Sequence, residues 1–327
     1  MRTGDTDSSR ALLVQRGAVL ISVLVAVLGI LLGNGHHPYL LDVLKLGLAY
    51  ALFAVSWDAF CGLTGETSFG HTLLIGSAAY ATALLQSRLA VPPVLAACGG
   101  ALVGGIAGSL LGSLTLRQTG SVFAMVTMAA QLTFHRSLFI WSGFFGGEEG
   151  ILLRRSLANS AVAEYLLVGT AALAALFGTA WMRRTGFGLR LRASGQDSRV
   201  GLASGVPVAR VRVAGFALSG LLAGLGGSLL VGQTMVANQE MAGDALAGLI
   251  FVLAVIGGTG TLIGPWLAAF LYVAVVRESL TFLGEAGPVV TYGLLLVLVW
   301  VAPDGVGTAV GHVRRWARRG AALEDAP

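Results

Sequence analysis

The chain has 327 residues, of which 55% are hydrophobic and 11% charged, with a mean hydropathy of +0.80 and a formal net charge of +5. A soluble domain carries roughly 25% charged residues, so these charges are too few to cover a water-exposed surface. The single lysine, Lys45, follows no glycine-rich loop, which excludes a P-loop ATPase, and arginines scattered between apolar runs argue against nucleic-acid binding.

Apolar runs along the chain predict an all-α fold, a polytopic transmembrane helical bundle of about ten spans. A span needs about 20 mostly apolar residues, and the third and eighth runs fall short of this length. The first run follows three arginines as a signal peptide does, but no cleavage site follows, so we expect a retained helix. The runs cover approximately 17–33, 39–60, 72–87, 91–114, 120–140, 161–182, 212–232, 245–260, 264–283 and 286–302.

Arginine positions predict the orientation, because cytoplasmic loops carry the excess of positive residues. With an even number of spans, both basic ends share one side with Arg117 and with the longest basic connection, 183–211. That side is the cytoplasm. We therefore expect a cytoplasmic tail over 1–16, a transmembrane domain over 17–303 and a cytoplasmic basic tail over 304–327.

A glycine-rich segment after the second run is the first candidate for function. Residues 61–71 interrupt apolar sequence with three glycines, two threonines, a serine, a carboxylate and an imidazole. Irregular backbone at membrane depth is tolerated only against protein or a water-filled cavity, and ionisable groups there are usually functional. We predict a broken helix beside the substrate pathway, with an interfacial loop as the alternative. The predicted pathway residues are Thr64, Glu66, Thr67, Ser68, Gly70 and His71.

A second glycine-rich segment, residues 257–265, weakly repeats the first one. Duplicated transporter halves often show such weak internal symmetry. The segment predicts a hinge or pore-lining turn, and a tight connection between two helices is an equally good interpretation. The predicted pathway residues here are Gly257, Gly258, Thr259 and Gly260.

The cytoplasmic connection contains a candidate docking helix. It could run from Ser194 or Asp197 to Ser204, where a glycine and a proline would end it. A short amphipathic helix on this side suits insertion into a partner's groove. The alternative is a helix on the bilayer surface whose arginines meet anionic lipid.

Catalytic motifs are absent from the sequence, and we expect neither a catalytic site nor a metal site. Ser68 and His71 lie three residues apart and could form a nucleophile and base on a helix, which leaves a membrane hydrolase as a remote alternative. Polar residues within spans often join helices, and four are assigned that role rather than substrate contact: Asp58, Gln131, His135 and Arg136.

These motifs, in this order and spacing, resemble the LivM-type permease subunit of bacterial branched-chain amino-acid ABC importers. The resemblance covers approximately 44–301. The residues that carry it are 62–71, Gly76 with Ala79 and Tyr80, 123–127, the glycine-acid segment 146–150, the cytoplasmic connection 183–211 and 255–265.

The resemblance implies a type II-importer-like ABC permease in the bacterial cytoplasmic membrane. It would pair with a LivH-like permease, dock two cytoplasmic ATPase subunits and receive substrate from an extracytoplasmic binding protein. ATP would be bound by those partner subunits, so the chain itself would need no cofactor and would not be an enzyme. The segment 194–207 would be the coupling helix. The implied ATPase-coupling residues are Arg190, Arg192, Ser194, Gln196, Asp197, Arg199, Gly201, Ala203, Gly205 and Pro207.

The chain also departs from the family pattern. Family members usually carry acidic residues early in the coupling segment, where this chain has Gly195, Gln196 and Asp197. Glu148 and Glu149 stand where small polar residues are common in the family. Branched-chain or related amino acids are the expected substrates, with amides, urea or sugars as alternatives. A secondary transporter or channel for a small polar solute, which needs no ATPase, is the competing class.

Overall fold

The computed structural model describes residues 38–115, 118, 120–196, 205, 207–273, 286, 289, 290, 293 and 297. The first predicted span and both predicted tails lie outside these residues, as do most of the last span and the second half of the ninth. The described part is mainly helical, which confirms the predicted helical membrane bundle. The number of spans and the side of the termini stay predictions.

The helices follow the predicted runs closely. In chain order they are α1 (Pro38–Thr64), α2 (His71–Leu89), α3 (Pro93–Thr115), α4 (Ser121–Ile140), α5 (Ser142–Phe145), α6 (Ala161–Met182), α7 (Gly186–Gln196), α8 (Val208–Thr234), α9 (Asp244–Gly257) and α10 (Ile263–Leu271). Strands β1 (Ile151–Leu152) and β2 (Val236–Ala237) pair antiparallel, and a 3₁₀ helix covers Gln239–Ala242. Among the described residues, four helices are long and apolar enough to cross a membrane: α1, α3, α6 and α8.

Glycines bring α3 and α8 into close contact along their length. A Cβ on Gly104 would lie 2.6 Å from the carbonyl oxygen of Gly220, and one on Gly108 would lie 2.7 Å from that of Phe216. Small residues at four-residue spacing allow two membrane helices to approach until their backbones touch. The high glycine content of the chain therefore has a packing role in this antiparallel pair.

Buried polar contacts join the helices further. Lys45 of α1 forms an ion pair with Glu164 of α6 at 2.6 Å. The Gln131 amide nitrogen donates to the carbonyl oxygen of Ala242 at 2.6 Å, so this side chain forms the helix contact that the sequence predicted. Such bonds stabilise helix association where no water competes for the polar groups.

The connections between helices gather at two ends of the bundle. At one end, called here the α7 end, α7 packs on the first glycine-rich segment, and Arg183, just before α7, bonds to the second. The opposite end, called the ribbon end, carries the pair of short strands, which joins the 141–160 connection to the residues after α8. The arginine pattern assigns the α7 end to the cytoplasm, with Arg154 and Arg155 as an exception at the ribbon end, and this sidedness stays a prediction.

Candidate functional site

The first glycine turn, residues 65–70, separates α1 from α2. Its place beside the substrate pathway, or alternatively in an interfacial loop, stays a prediction. Gly65 has a φ of +70°, a conformation that glycine adopts without strain. The side chains of Glu66 and Ser68 are buried, whereas Thr67 is half-buried. The turn is therefore built into the protein and is not a loop in solvent.

Internal hydrogen bonds occupy most polar groups of this turn. The Ser68 hydroxyl accepts from the backbone N–H of Gly70 at 3.2 Å, and the Ser68 carbonyl accepts from the indole of Trp57 at 2.8 Å. The Thr64 hydroxyl donates to the carbonyl oxygen of Phe60 at 2.9 Å. These side chains hold the turn in place, and their contact with substrate stays a prediction.

His71 begins α2 and bonds to α8 rather than to Ser68. Its Nε2 lies 2.8 Å from the Ser219 hydroxyl, which donates to the carbonyl oxygen of Ser56 at 2.6 Å. Because that hydroxyl proton is used on Ser56, Nε2 is the donor to Ser219. The hydrogen bonds of the described residues thus give Ser68 and His71 different partners, and the hydrolase alternative gains no support from them.

The second glycine turn, residues 258–262, joins α9 to α10. Gly258 and Gly260 have φ values of +92° and +80°. Leu262 has a φ of +68°, which strains a bulky side chain and persists only where surrounding contacts enforce it. Gly257 packs against the backbone of Gly264, and Thr259 is exposed.

Asp58 holds the second turn against α1. Its side chain is fully buried and accepts from the backbone N–H groups of Gly260 at 2.6 Å and Leu262 at 2.9 Å. Its carboxylate also pairs with Arg183 at 2.7 Å. Arg183 donates in addition to the carbonyl oxygens of Asp58 and Gly260. We call these four residues, Asp58, Arg183, Gly260 and Leu262, the Asp58 clamp.

The clamp brings together the two glycine-rich segments that the sequence matched to each other. A Cβ on Gly62 would overlap the Asp58 carboxylate and lie 2.8 Å from the backbone nitrogen of Gly260. The clamp does not follow from the sequence, which indicates only a helix contact for Asp58 and a part in the orientation for Arg183. The available signal is an ionisable residue near the end of an apolar run.

The helix α7 precedes the docking helix predicted from Ser194 or Asp197 to Ser204, which beyond Gln196 lies outside the described residues and stays a prediction. Within α7, Gly188 packs closely on the end of α6, because its Cβ would lie 2.5 Å from the carbonyl oxygen of Met182. Among the predicted coupling residues, Arg190, Arg192 and Gln196 are exposed on α7, Ser194 is buried, and Gly205 and Pro207 precede α8. The other four, Asp197, Arg199, Gly201 and Ala203, lie outside the described residues.

A second buried ion pair connects α7 to the first glycine turn. Arg212 of α8 donates to the carbonyl oxygen of Ser194 at 2.8 Å and pairs with Glu66 at 3.2 Å. The other Glu66 oxygen accepts from the backbone N–H of Gly120 at 2.6 Å, just before α4. We call this chain of contacts, from Ser194 through Arg212 and Glu66 to Gly120, the Glu66–Arg212 bridge.

Three known permeases illustrate what the chain is similar to. It is 31% identical over 177 residues to the autoinducer 2 import system permease protein LsrC of Klebsiella pneumoniae, 51% of this chain and 50% of that protein. It is 24% identical over 325 residues to the ribose import permease protein RbsC of Haemophilus influenzae, 94% of this chain and 98% of that protein. It is 22% identical over 294 residues to the high-affinity branched-chain amino acid transport system permease protein LivM of Escherichia coli, 81% of this chain and 69% of that protein.

The similarity therefore reaches permeases named for several solutes and does not single out the LivM type. The match to LsrC spans about half the length of that relative. No solved structure matches the chain. The family model described as branched-chain amino acid transport system, permease component, matches residues 39–302, most of the chain. The chain thus belongs to this family of permease components and is a multi-pass protein of the cytoplasmic membrane.

Proposed function

We propose that the chain is a permease subunit of an ATP-driven ABC importer, which forms with a second, LivH-like permease the transmembrane path for branched-chain or related amino acids. Two ATPase subunits bind at the α7 end, an extracytoplasmic binding protein delivers substrate at the ribbon end, and lipid surrounds the helices. ATP is bound by the partners. The pairing of the buried Lys45 with Glu164 and with the exposed Asp42 supports this division, because the one lysine is committed to helix packing.

The observation that carries the proposal is the position of α7 against the bundle. Gly195 packs directly on the backbone of Thr64, and the Leu191 side chain is fully buried. On its other face α7 exposes Leu189, Arg190 and Arg192. A short helix that is fixed on one side and presents an apolar and basic surface on the other suits a partner's groove. A secondary transporter has no need of such a surface.

Sugars or autoinducer 2 form a second candidate substrate class. The similarity to the ribose permease covers nearly the full length of both chains, at an identity comparable to that of LivM. A calorimetric titration of the binding protein that purifies with the tagged chain distinguishes amino-acid substrates from sugars. We expect binding of leucine, isoleucine or valine. Binding of ribose alone would replace the amino-acid assignment with the sugar assignment.

Reversing two charges on α7 tests ATPase docking. We expect Arg190→Glu with Arg192→Glu to lower co-purification of the ATPase subunits with the tagged chain by about tenfold or more, because like charges facing each other across an interface cost several kcal/mol. The measurement is quantitative mass spectrometry of the complex extracted in mild detergent.

Arg154 and Arg155 provide the matched control, since both are exposed and adjacent but lie at the ribbon end. Changing both to glutamate should leave ATPase recovery at the wild-type level. Full ATPase recovery with the α7 variant, or equal loss with both variants, would contradict docking at α7.

A further inference from the structure

We propose that Glu66 and Arg212 are positioning residues that form a releasable link between α7 and α4, while the Asp58 clamp acts as a fixed pivot. The inference rests on the proposed function, because it assigns a path by which displacement of α7 by the ATPases reaches the transmembrane helices. The two buried ion pairs at this end of the bundle, Glu66–Arg212 and Asp58–Arg183, thus have different roles.

The Asp58 clamp has the contacts expected of a fixed point. The carboxylate receives three donors, from Gly260, Leu262 and Arg183, at 2.6 to 2.9 Å. Arg183 also donates to two carbonyl oxygens, at 2.7 and 2.8 Å. Short charge-assisted bonds in such number are strong, and breaking them would leave buried charges without partners. The clamp therefore holds α1, α6 and the α9–α10 connection as one unit.

The Glu66–Arg212 bridge is held more weakly. One ion-pair contact joins the two side chains, at 3.2 Å, compared with 2.7 Å for Arg183 and Asp58. A small cavity borders both side chains, with Phe60, Phe123 and Phe216 also in its wall. The longer contact and the space beside the pair mean that the two groups can separate at lower cost than those of the clamp can.

Glycines stand in the backbone on each side of the bridge. Gly65, next to Glu66, and Gly120, which donates to Glu66, have φ values of +70° and +60°. Around each of them, no atom of the described residues lies within 4 Å of the position that a Cβ would occupy. Glycine at such positions changes conformation with little steric cost. The bridge is thus flanked by two hinge positions.

The helix reached by this bridge has few side chains buried among the described residues. Within α4, the buried residues are Phe123, Thr127, Gln131 and Leu138, whereas Met125, Met128 and Leu132 are exposed. The helix begins directly after Gly120, so a shift of Glu66 acts on its first turn. We infer that the bridge transmits displacement of α7 to α4, which moves against the unit held by the Asp58 clamp.

Charge removal at Glu66 tests the inference in proteoliposomes that contain the complete importer. Glu66→Gln keeps the size and an acceptor but removes the charge that attracts Arg212. We expect normal assembly, a fall in substrate import of about tenfold and near-normal ATP hydrolysis, so that the ATP used per substrate imported rises about tenfold. Arg212→Lys, which keeps the charge without the planar fork, should give an intermediate ratio.

Glu240→Gln is the matched control, since this carboxylate is exposed in the 3₁₀ helix and should keep the wild-type ratio. A wild-type ratio in the Glu66→Gln importer would overturn the inference and leave the proposed function standing. So would failure of this variant to assemble, because a releasable link is not needed for folding. Lack of ATP-dependent import by the wild-type complex would overturn the proposed function and, with it, the inference.

Discussion

Replacing Asp58 by alanine is expected to remove nearly all folded protein from the membrane. The change leaves the Arg183 guanidinium and the backbone N–H groups of Gly260 and Leu262 without their shared buried acceptor. Removal of one partner from a buried ion pair costs about 3–5 kcal/mol, and each unsatisfied buried donor adds about 1–3 kcal/mol. Such a loss is comparable to the roughly 5–15 kcal/mol that stabilise a whole protein.

Fluorescence-detected size-exclusion chromatography of a tagged chain measures this effect after mild extraction. Asp244→Ala is the matched control, because its carboxylate is exposed at the start of α9 and should tolerate the change. The control should give the wild-type peak, and Asp58→Ala an aggregated or absent one. A wild-type peak and melting temperature for Asp58→Ala would show that the clamp does not stabilise the fold.

Gly104→Ala is expected to destabilise the protein strongly although it adds a single methyl group. The new Cβ would lie 2.6 Å from the carbonyl oxygen of Gly220 and 2.8 Å from the Cα of Gly224, so two helix backbones would have to separate. Overpacking of this kind costs about 1–3 kcal/mol. The measurement is the thermal unfolding midpoint of the purified protein in detergent.

The neighbouring glycine supplies the control within the same helix turn. At Gly105 the nearest atom to a new Cβ would be the Leu221 Cβ at 3.4 Å, which is ordinary contact. Gly105→Ala should therefore change stability by no more than about 0.5 kcal/mol, as surface substitutions usually do. Equal midpoints for both variants would mean that α3 and α8 do not pack through Gly104.

Local features of the fold were predictable, because apolar run length and glycine position act within a few residues. The break between α1 and α2 followed from glycine and polar residues that interrupt an apolar run. The helix α7 could not be predicted in the same way, because the close approach of Gly195 to the Thr64 backbone joins residues that are far apart in the chain.

The pairing of charges could not be predicted. Asp58 and Arg183 are 125 residues apart in the chain, and the sequence does not specify which arginine meets which carboxylate. The same holds for Arg212. Its position at the start of an apolar run indicates which side of the membrane it faces, but not that it contacts Glu66. Only the packed helices bring these partners together.

The substrate assignment was the least specific part of the sequence analysis. Much of the LivM-type resemblance was carried by glycine-rich segments, and in the structure these segments form turns and backbone contacts at the α7 end. Any permease of this fold needs such turns, whatever solute it moves. Motifs of this kind therefore identify the family, and the solute must be found by measurement.

ATP-dependent uptake by the reconstituted complex shows whether this permease is driven through α7. Proteoliposomes would hold the complex purified through this chain, with its binding protein outside and labelled leucine as substrate. We expect uptake only when ATP is supplied on the α7 side, and its loss with Arg190→Glu and Arg192→Glu. Uptake driven by a proton or sodium gradient without ATP would contradict it.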